Sequence, residues 1–151
     1  MHRFYGTFEH AIDDKNRVAI PSKFRDVLVG LDQQGLMVTR FRSRDRRCLD
    51  VYPFGAWEQL EAKILAKRRF DPRMQQFKDV YVSGAHECVP DGQGRILIPQ
   101  HLREWAGLKR DVVFTGQVDM FNVWDRDTWN RRFDEQEKIF DEPDLLGELE
   151  L

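Results

Sequence analysis

Asp13-Asp14-Lys15-Asn16-Arg17-Val18-Ala19-Ile20-Pro21 returns later in the chain as Asp91-Gly92-Gln93-Gly94-Arg95-Ile96-Leu97-Ile98-Pro99. Asp, Arg, the apolar pair and Pro keep their spacing. Around this core, Glu9 matches Glu87 and Arg25 matches Arg103. Further on, Val51-Tyr52-Pro53-Phe54-Gly55-Ala56-Trp57 matches Val123-Trp124-Asp125-Arg126-Asp127-Thr128-Trp129. So many offsets in order mark an internal repeat. A repeated unit with a shared polar loop presents one surface twice, which suits a partner that is itself repetitive.

Each unit reads in the same order. A strand (Thr7–Ile12, or Ala85–Val89) leads into a polar turn (Asp13–Asn16, or Asp91–Gly94), and a second strand (Arg17–Ile20, or Arg95–Ile98) completes a hairpin. Gly94 takes a positive backbone φ at no steric cost, and Asn16 is the next most tolerant residue at the matching position. Pro21 and Pro99 stop the second strand, because proline cannot donate to a ladder. Helical spacing follows over Ser22–Leu28 and Gln100–Ala106, with Gly107 a suitable C-terminal cap. Gly35–Phe41 with Cys48–Tyr52, and Asp111–Thr115 with Met120–Trp124, read as closing hairpins, the first with the longer connection.

Two more helices are expected. Ala56–Lys67 aligns Trp57, Leu60, Glu61 and Ile64. Asp127–Phe140 aligns Trp129, Phe133, Gln136 and Phe140, with Asp127 or Thr128 as cap, and these aromatics read as core. Asp71-Pro72 is a cap followed by a first-turn proline, so the connection between units reads as a helix carrying Met74, Phe77 and Tyr81. Glu142-Pro143-Asp144 onward reads as a frayed acidic end.

The chain of 151 residues has room for one ordinary domain or two very small ones. Units of roughly 70 residues are marginal alone, so the halves share a core or complete it by oligomerising. No apolar run approaches the roughly 20 residues that cross a bilayer. The start, Met1-His2-Arg3-Phe4-Tyr5-Gly6, lacks the apolar stretch of a signal peptide. Cys48 and Cys88 show no paired spacing. A reduced, cytosolic protein without disulfides is expected.

The net charge of -2 hides an asymmetry. Residues 134–151 hold eight acids against one base, a net -7, and the other 133 residues hold 23 bases against 18 acids, a net +5. A solvated acidic tail accounts for this; so does a basic body that meets nucleic acid.

The Asp-x-x-x-Arg turns also bear two readings. In one, Asp13 and Asp91 bond turn amides and pair with Arg17 and Arg95, with no further role. In the other, the aspartates organise loops from which Lys15, Arg17, Gln93 and Arg95 reach a phosphate backbone or groove. A two-stranded ribbon fits the major groove, where Arg grips guanine O6 and N7. Arg40-Phe41-Arg42-Ser43-Arg44-Asp45-Arg46-Arg47 is the densest basic run, either a solvated hairpin tip or a non-specific phosphate contact. His86-Glu87-Cys88 is a poor metal set, because adjacent strand residues face opposite ways. Neither cysteine has a nucleophile signature, and no phosphate loop or dinucleotide fingerprint occurs. No enzyme, metal, cofactor or small-molecule substrate is expected.

Asp13-x-Lys15-x-Arg17-x-x-Ile20-Pro21-x-Lys23-Phe24-Arg25, with Gly6 upstream and the second Asp91-x-x-Gly94-Arg95-x-x-Ile98-Pro99 copy, resembles the MraZ family over nearly the whole chain. Asn16 departs from the usual Gly of the first loop. The resemblance implies an α+β fold, a tandem pseudo-symmetric AbrB-like swapped-hairpin β-barrel with flanking helices. It divides the chain into a DNA-binding repeat over 7–54, a helical connection over 55–82, a second repeat over 83–128, and a C-terminal helix with acidic tail over 129–151. It implies a bacterial transcriptional regulator, commonly a repressor, in the cytoplasm with the nucleoid. Such a protein forms a homo-oligomeric ring on double-stranded DNA, at repeated G-rich boxes before the division and cell-wall gene cluster. The DNA-contact candidates carried over are Lys15, Arg17, Gln93, Arg95, Lys23 and Arg25, with Asp13 and Asp91 as loop organisers. The alternative is a ring-forming module that binds a protein or RNA partner, its Asp-x-x-x-Arg turns purely structural.

Overall fold

The polar turns form, but the strands beside each turn do not pair with each other as a local hairpin would. The structure, a computed structural model, describes residues 2–150. In it β1 (Thr7–Ala11) pairs with β7 (Asp111–Gly116), and β2 (Arg17–Ala19) pairs with β6 (Arg95–Leu97). Likewise β5 (His86–Cys88) pairs with β3 (Leu36–Ser43) of the first unit. The reason is burial. A two-stranded hairpin is marginal in water, whereas exchange between units packs Val18 against Ile96, both fully buried.

All these pairings are antiparallel. With β4 (Arg46–Pro53) and β8 (Phe121–Asp125), the main sheet has the order β1-β7-β8-β4-β3-β5, and β2-β6 forms a separate ribbon. The order reads the same from either unit. A pseudo-two-fold therefore passes between β4 and β8 and between β2 and β6. This is the tandem swapped-hairpin β architecture, α+β in class, implied by the resemblance. One core is shared by both units: Val18, Ile20, Ile96 and Ile98 beside the ribbon meet Leu49, Val112, Phe114 and Val123 from the sheet.

The closing hairpins form, with connections opposite to expectation. Only Arg44 and Asp45 join β3 to β4, while residues 117–120 join β7 to β8. The basic run extends both strands to the Ser43↔Arg46 pair instead of forming a loop, and Arg44 takes the positive φ of 57° that closes the turn.

The helices follow the sequence with shifted ends. α1 (Ser22–Gly30) buries Phe24 and Leu28. α2 (Phe54–Leu65) buries Trp57 and Ile64. α3 (Pro72–Phe77) is capped by Asp71, which accepts the Arg73 amide at 2.9 Å. A π-helical turn (Lys78–Val82) then buries Tyr81. α4 (Gln100–Ala106) ends at Gly107, whose φ of 62° makes it the left-handed cap.

α5 (Arg126–Gln136) starts earlier than expected, so Asp125 precedes it and neither Asp127 nor Thr128 is its cap. The Asp125 carboxylate instead accepts the Lys109 amide. Beyond α5, a 3-10 turn (Glu137–Asp141) and α6 (Pro143–Glu148) make the acidic end helical instead of frayed. Phe133 and Phe140 are exposed, 51% and 75%, and are not core. Phe133 rests against Trp129, and Phe140 is the more open to solvent.

Candidate nucleic-acid interface

The two polar loops have the same internal geometry. The Asp13 amide donates to the Arg17 carbonyl, and Asp91 does the same to Arg95, both at 2.8 Å. Asn16 and Gly94 sit at φ 64° and 74°, so both chains turn through the left-handed region. Asp13 Oδ1 accepts the Lys15 and Arg17 amides at 2.9 Å, and its Oδ2 accepts Arg17 Nε at 3.2 Å. Asp91 Oδ1 accepts the Gln93 and Arg95 amides, and its Oδ2 accepts Arg95 Nε at 3.0 Å. The amide bonds from Arg17 and Lys15 hold the Asp13 carboxyl below the usual carboxylate range. Those from Arg95 and Gln93 do the same at Asp91. Both aspartates are therefore anionic near neutrality and clamp their arginines.

The strand alternation then decides what faces outward. Val18 and Ile96 point into the core, so Arg17, Ala19, Arg95 and Leu97 share the opposite face of the ribbon. Arg95 Nη1 comes within 4.0 Å of Asp13 Oδ2, so the two guanidiniums converge over that face. Each aspartate occupies the Nε edge of its own arginine. The Nη groups are the donors that a base edge or a phosphate would engage. The pairing through Nε is thus structural in each loop, and Arg95 Nη1 is additionally turned toward Asp13 of the other loop.

The other sequence candidates divide. Lys15 and Gln93 are exposed on the loops. Lys23 lies with Gly6, Phe8 and Asp26 in a concavity beside the N-terminal segment, which no loop residue lines. The structure does not bring Lys23 to the ribbon. Arg25 does reach it, at the loop of the other unit: a Cβ on Gly94 would fall 2.5 Å from Arg25 Cδ and 2.7 Å from Nη1. Arg25 also adds its charge to burial in lowering the His10 pKa. Pairing Arg25 with Arg103 by repeat position hid this crossing; the exchange of strands is the signal that exposes it.

The basic run lies at the surface, with several of its arginines engaged by other parts of the chain. Arg40 Nε donates to the Val80 carbonyl at 2.9 Å and ties the sheet to the connection between units. Arg47 stacks 4.0 Å over Trp105, whose Nε1 donates to the Phe41 carbonyl. Arg46 Nη2 pairs with Glu135 at 2.5 Å. Arg42 and Arg44 stay exposed at the tip. Among the described residues no group of three His, Cys, Asp or Glu is placed to hold a metal ion, and no helix is long and apolar enough to cross a membrane.

Two loops of one design, presented side by side by exchanged strands, define a tandem swapped-hairpin protein. The family described as "MraZ protein, putative antitoxin-like" matches residues 3–80 and again 81–145. The chain belongs to the MraZ family. It is 40% identical over 139 residues to the transcriptional regulator MraZ of Thioalkalivibrio sulfidiphilus, covering 92% of this chain and 91% of the relative. Identity is 37% over 147 residues with the protein of that name from Desulfosudis oleivorans, and 38% over 149 residues with that of Halorhodospira halophila. Each of these alignments covers 97% of both chains. These relatives are named for regulation of transcription, not for an enzymatic activity.

Proposed function

We propose that this chain is a sequence-specific DNA-binding transcriptional regulator whose β2–β6 ribbon enters the major groove. One observation carries the reading: Arg17 and Arg95 stand on one outward face, each fixed at Nε by an aspartate of its own loop. Fixing the stem removes rotamer entropy before binding, which favours a bidentate grip on guanine. The relatives named transcriptional regulators support the reading, as does the +5 balance of residues 1–133. The finer expectations belong to the same proposal: repression, repeated G-rich boxes before the division and cell-wall genes, and residence in the cytoplasm with the nucleoid.

The ring is part of it. Leu65 and Phe70 are exposed beside Lys67, Arg68 and Arg69, between α2 and α3 in the chain. Phe133, Ile139 and Phe140 are exposed beside Glu137, Asp141 and Glu142, in α5 and the 3-10 turn after it. The two patches are unlike and complementary in charge, which suits a heterologous contact that closes into a ring.

The test is binding of the purified protein to DNA from its own upstream region, against scrambled DNA at physiological salt. Arg17→Ala should keep the fold by circular dichroism. It should lose most discrimination, at about 1–3 kcal/mol per lost base contact. A folded variant that binds as tightly as the unaltered protein removes the arginine from the interface and favours a protein or RNA partner.

A further inference from the structure

The two loops occupy pseudo-equivalent places but are not chemically equivalent. The first holds Asp13, Asp14, Lys15 and Arg17, which balance in charge; the second holds only Asp91 and Arg95 as charged groups. Lys15 is replaced by Gln93, and Asn16 by Gly94. The second difference changes the packing. Gly94 lacks a Cβ, and the Arg25 side chain, from α1 of the first unit, fills that place, with Cδ, Nη1 and Nε all within 3.1 Å of where a Cβ would be. The Ile20 amide donates to the Gly94 carbonyl at 2.9 Å and pins the end of the first unit's β-arm to the same loop.

Across the pseudo-two-fold, Asn16 carries the Cβ that Gly94 lacks, in the same left-handed conformation. Arg103 is the repeat equivalent of Arg25. Its Nη1 folds back onto the carbonyl of Ile98, in its own unit. One loop therefore packs against a guanidinium of the opposite unit, whereas the equivalent guanidinium bonds the backbone of its own unit.

We propose that Arg25 completes a composite DNA-reading head with Gln93 and Arg95, and that each protomer thereby reads its site asymmetrically. The second head carries one positive charge beyond balance, and the first carries none. The second head anchors the phosphate backbone and the first adds base contact through Arg17. Asymmetry gives the protein a direction on the duplex. A symmetric ribbon would fit a palindrome, whereas an asymmetric one fits direct repeats, which successive copies of the chain meet in the same orientation.

This rests on the DNA-binding reading above, and the test separates the two. Binding to the upstream-region duplex is measured across a salt series for the unaltered full chain and for Arg25→Ala, Arg103→Ala and Gly94→Asn. Gly94→Asn is the decisive variant. Asn tolerates the left-handed backbone, as Asn16 already does, so the loop folds while its Cβ displaces Arg25. Arg25→Ala and Gly94→Asn should each weaken binding about tenfold and lower the salt slope by about one. Arg103→Ala should leave the slope unchanged. Equal slopes for Arg25→Ala and Arg103→Ala, or unaltered affinity in Gly94→Asn, overturn the composite head. If the Arg17→Ala, Arg95→Ala double variant also binds as the unaltered protein does, the ribbon itself is not the DNA interface and the broader reading falls.

Discussion

Asp50 and Asn122 stand opposite each other on β4 and β8, at equivalent positions of the two units, and Asn122 Nδ2 donates to Asp50 Oδ1 at 2.6 Å. The pseudo-two-fold thus passes through a buried carboxylate and a buried amide. The network spreads from there. Tyr81, delivered by the connection between units, donates to Asp50 Oδ2 at 2.5 Å and also meets Tyr52. Thr39 donates to the Tyr81 carbonyl, and Thr115 donates to Asn122 Oδ1. Two carboxylates would repel here, and two amides would leave the tyrosine without an anionic acceptor. The break in symmetry lets every member find a partner.

Burial pushes the Asp50 carboxyl up to about 6, against the pull of its bonds from Tyr81 and Asn122. In the unfolded chain it ionises near 3.9. Between those values the folded state binds more protons, so stability falls as pH rises from about 4 to about 6 and levels off above. Asp50→Asn should remove that slope. Urea unfolding of both proteins across pH 4–7 should show the variant gaining on the unaltered chain by about 2–3 kcal/mol. A constant difference between them would mean that the carboxyl is ionised throughout.

Asp13 separates the two jobs of its carboxylate. Asp13→Asn keeps Oδ1 for the Lys15 and Arg17 amides but gives up the charged bond to Arg17 Nε. Asp13→Ala gives up both. DNA affinity should fall in the order unaltered protein, Asn variant, Ala variant, with the fold retained. Equal binding by all three would show that the loop needs no carboxylate to aim Arg17.

Gly107 closes α4 at φ 62°, and a Cβ there meets nothing within 4 Å. The cost of Gly107→Ala is then conformational alone, about 1–2 kcal/mol for an L-residue in the left-handed region. Thermal unfolding should register it, and DNA affinity should not change. A larger loss would require a clash that the open space around the glycine does not supply.

The repeat, the polar turns, the capping prolines and the core faces were legible because each depends on local chemistry. Val18 and Ile96 had to point inward, and Asp13 had to bond its own turn. Strand partners were less legible. Local spacing joined β1 to β2, whereas burial of Val18 on Ile96 required pairing across units. The neighbour of Arg25 was illegible for the same reason, since Gly94 lies on the loop of the other unit. The stripe Trp129, Phe133 and Phe140 has core periodicity, yet only its first residue packs onto the sheet, against Trp124, and Phe133 rests on Trp129. Periodicity reports an apolar face and not what lies on it.

That uncovered face leads to the last prediction. Phe133, Ile139 and Phe140 lie among acids, and Leu65 and Phe70 follow the opposite charge pattern. If copies join head to tail through these patches, reversing one sign should open the ring. Arg68→Glu with Arg69→Glu should lower the mass by light scattering, and Glu137→Lys with Glu142→Lys in the same chain should restore it. DNA binding should follow the assembly. Linked copies make each later contact intramolecular, so affinity for a duplex with several repeats should exceed that for one repeat by about 10²–10⁴-fold. The open variant should lose that excess while keeping single-repeat affinity, since both loops remain intact. A single mass near 18.0 kDa for the unaltered chain at micromolar concentration would rule out the ring. Full affinity for one isolated repeat would instead leave the ring intact and remove avidity from the mechanism.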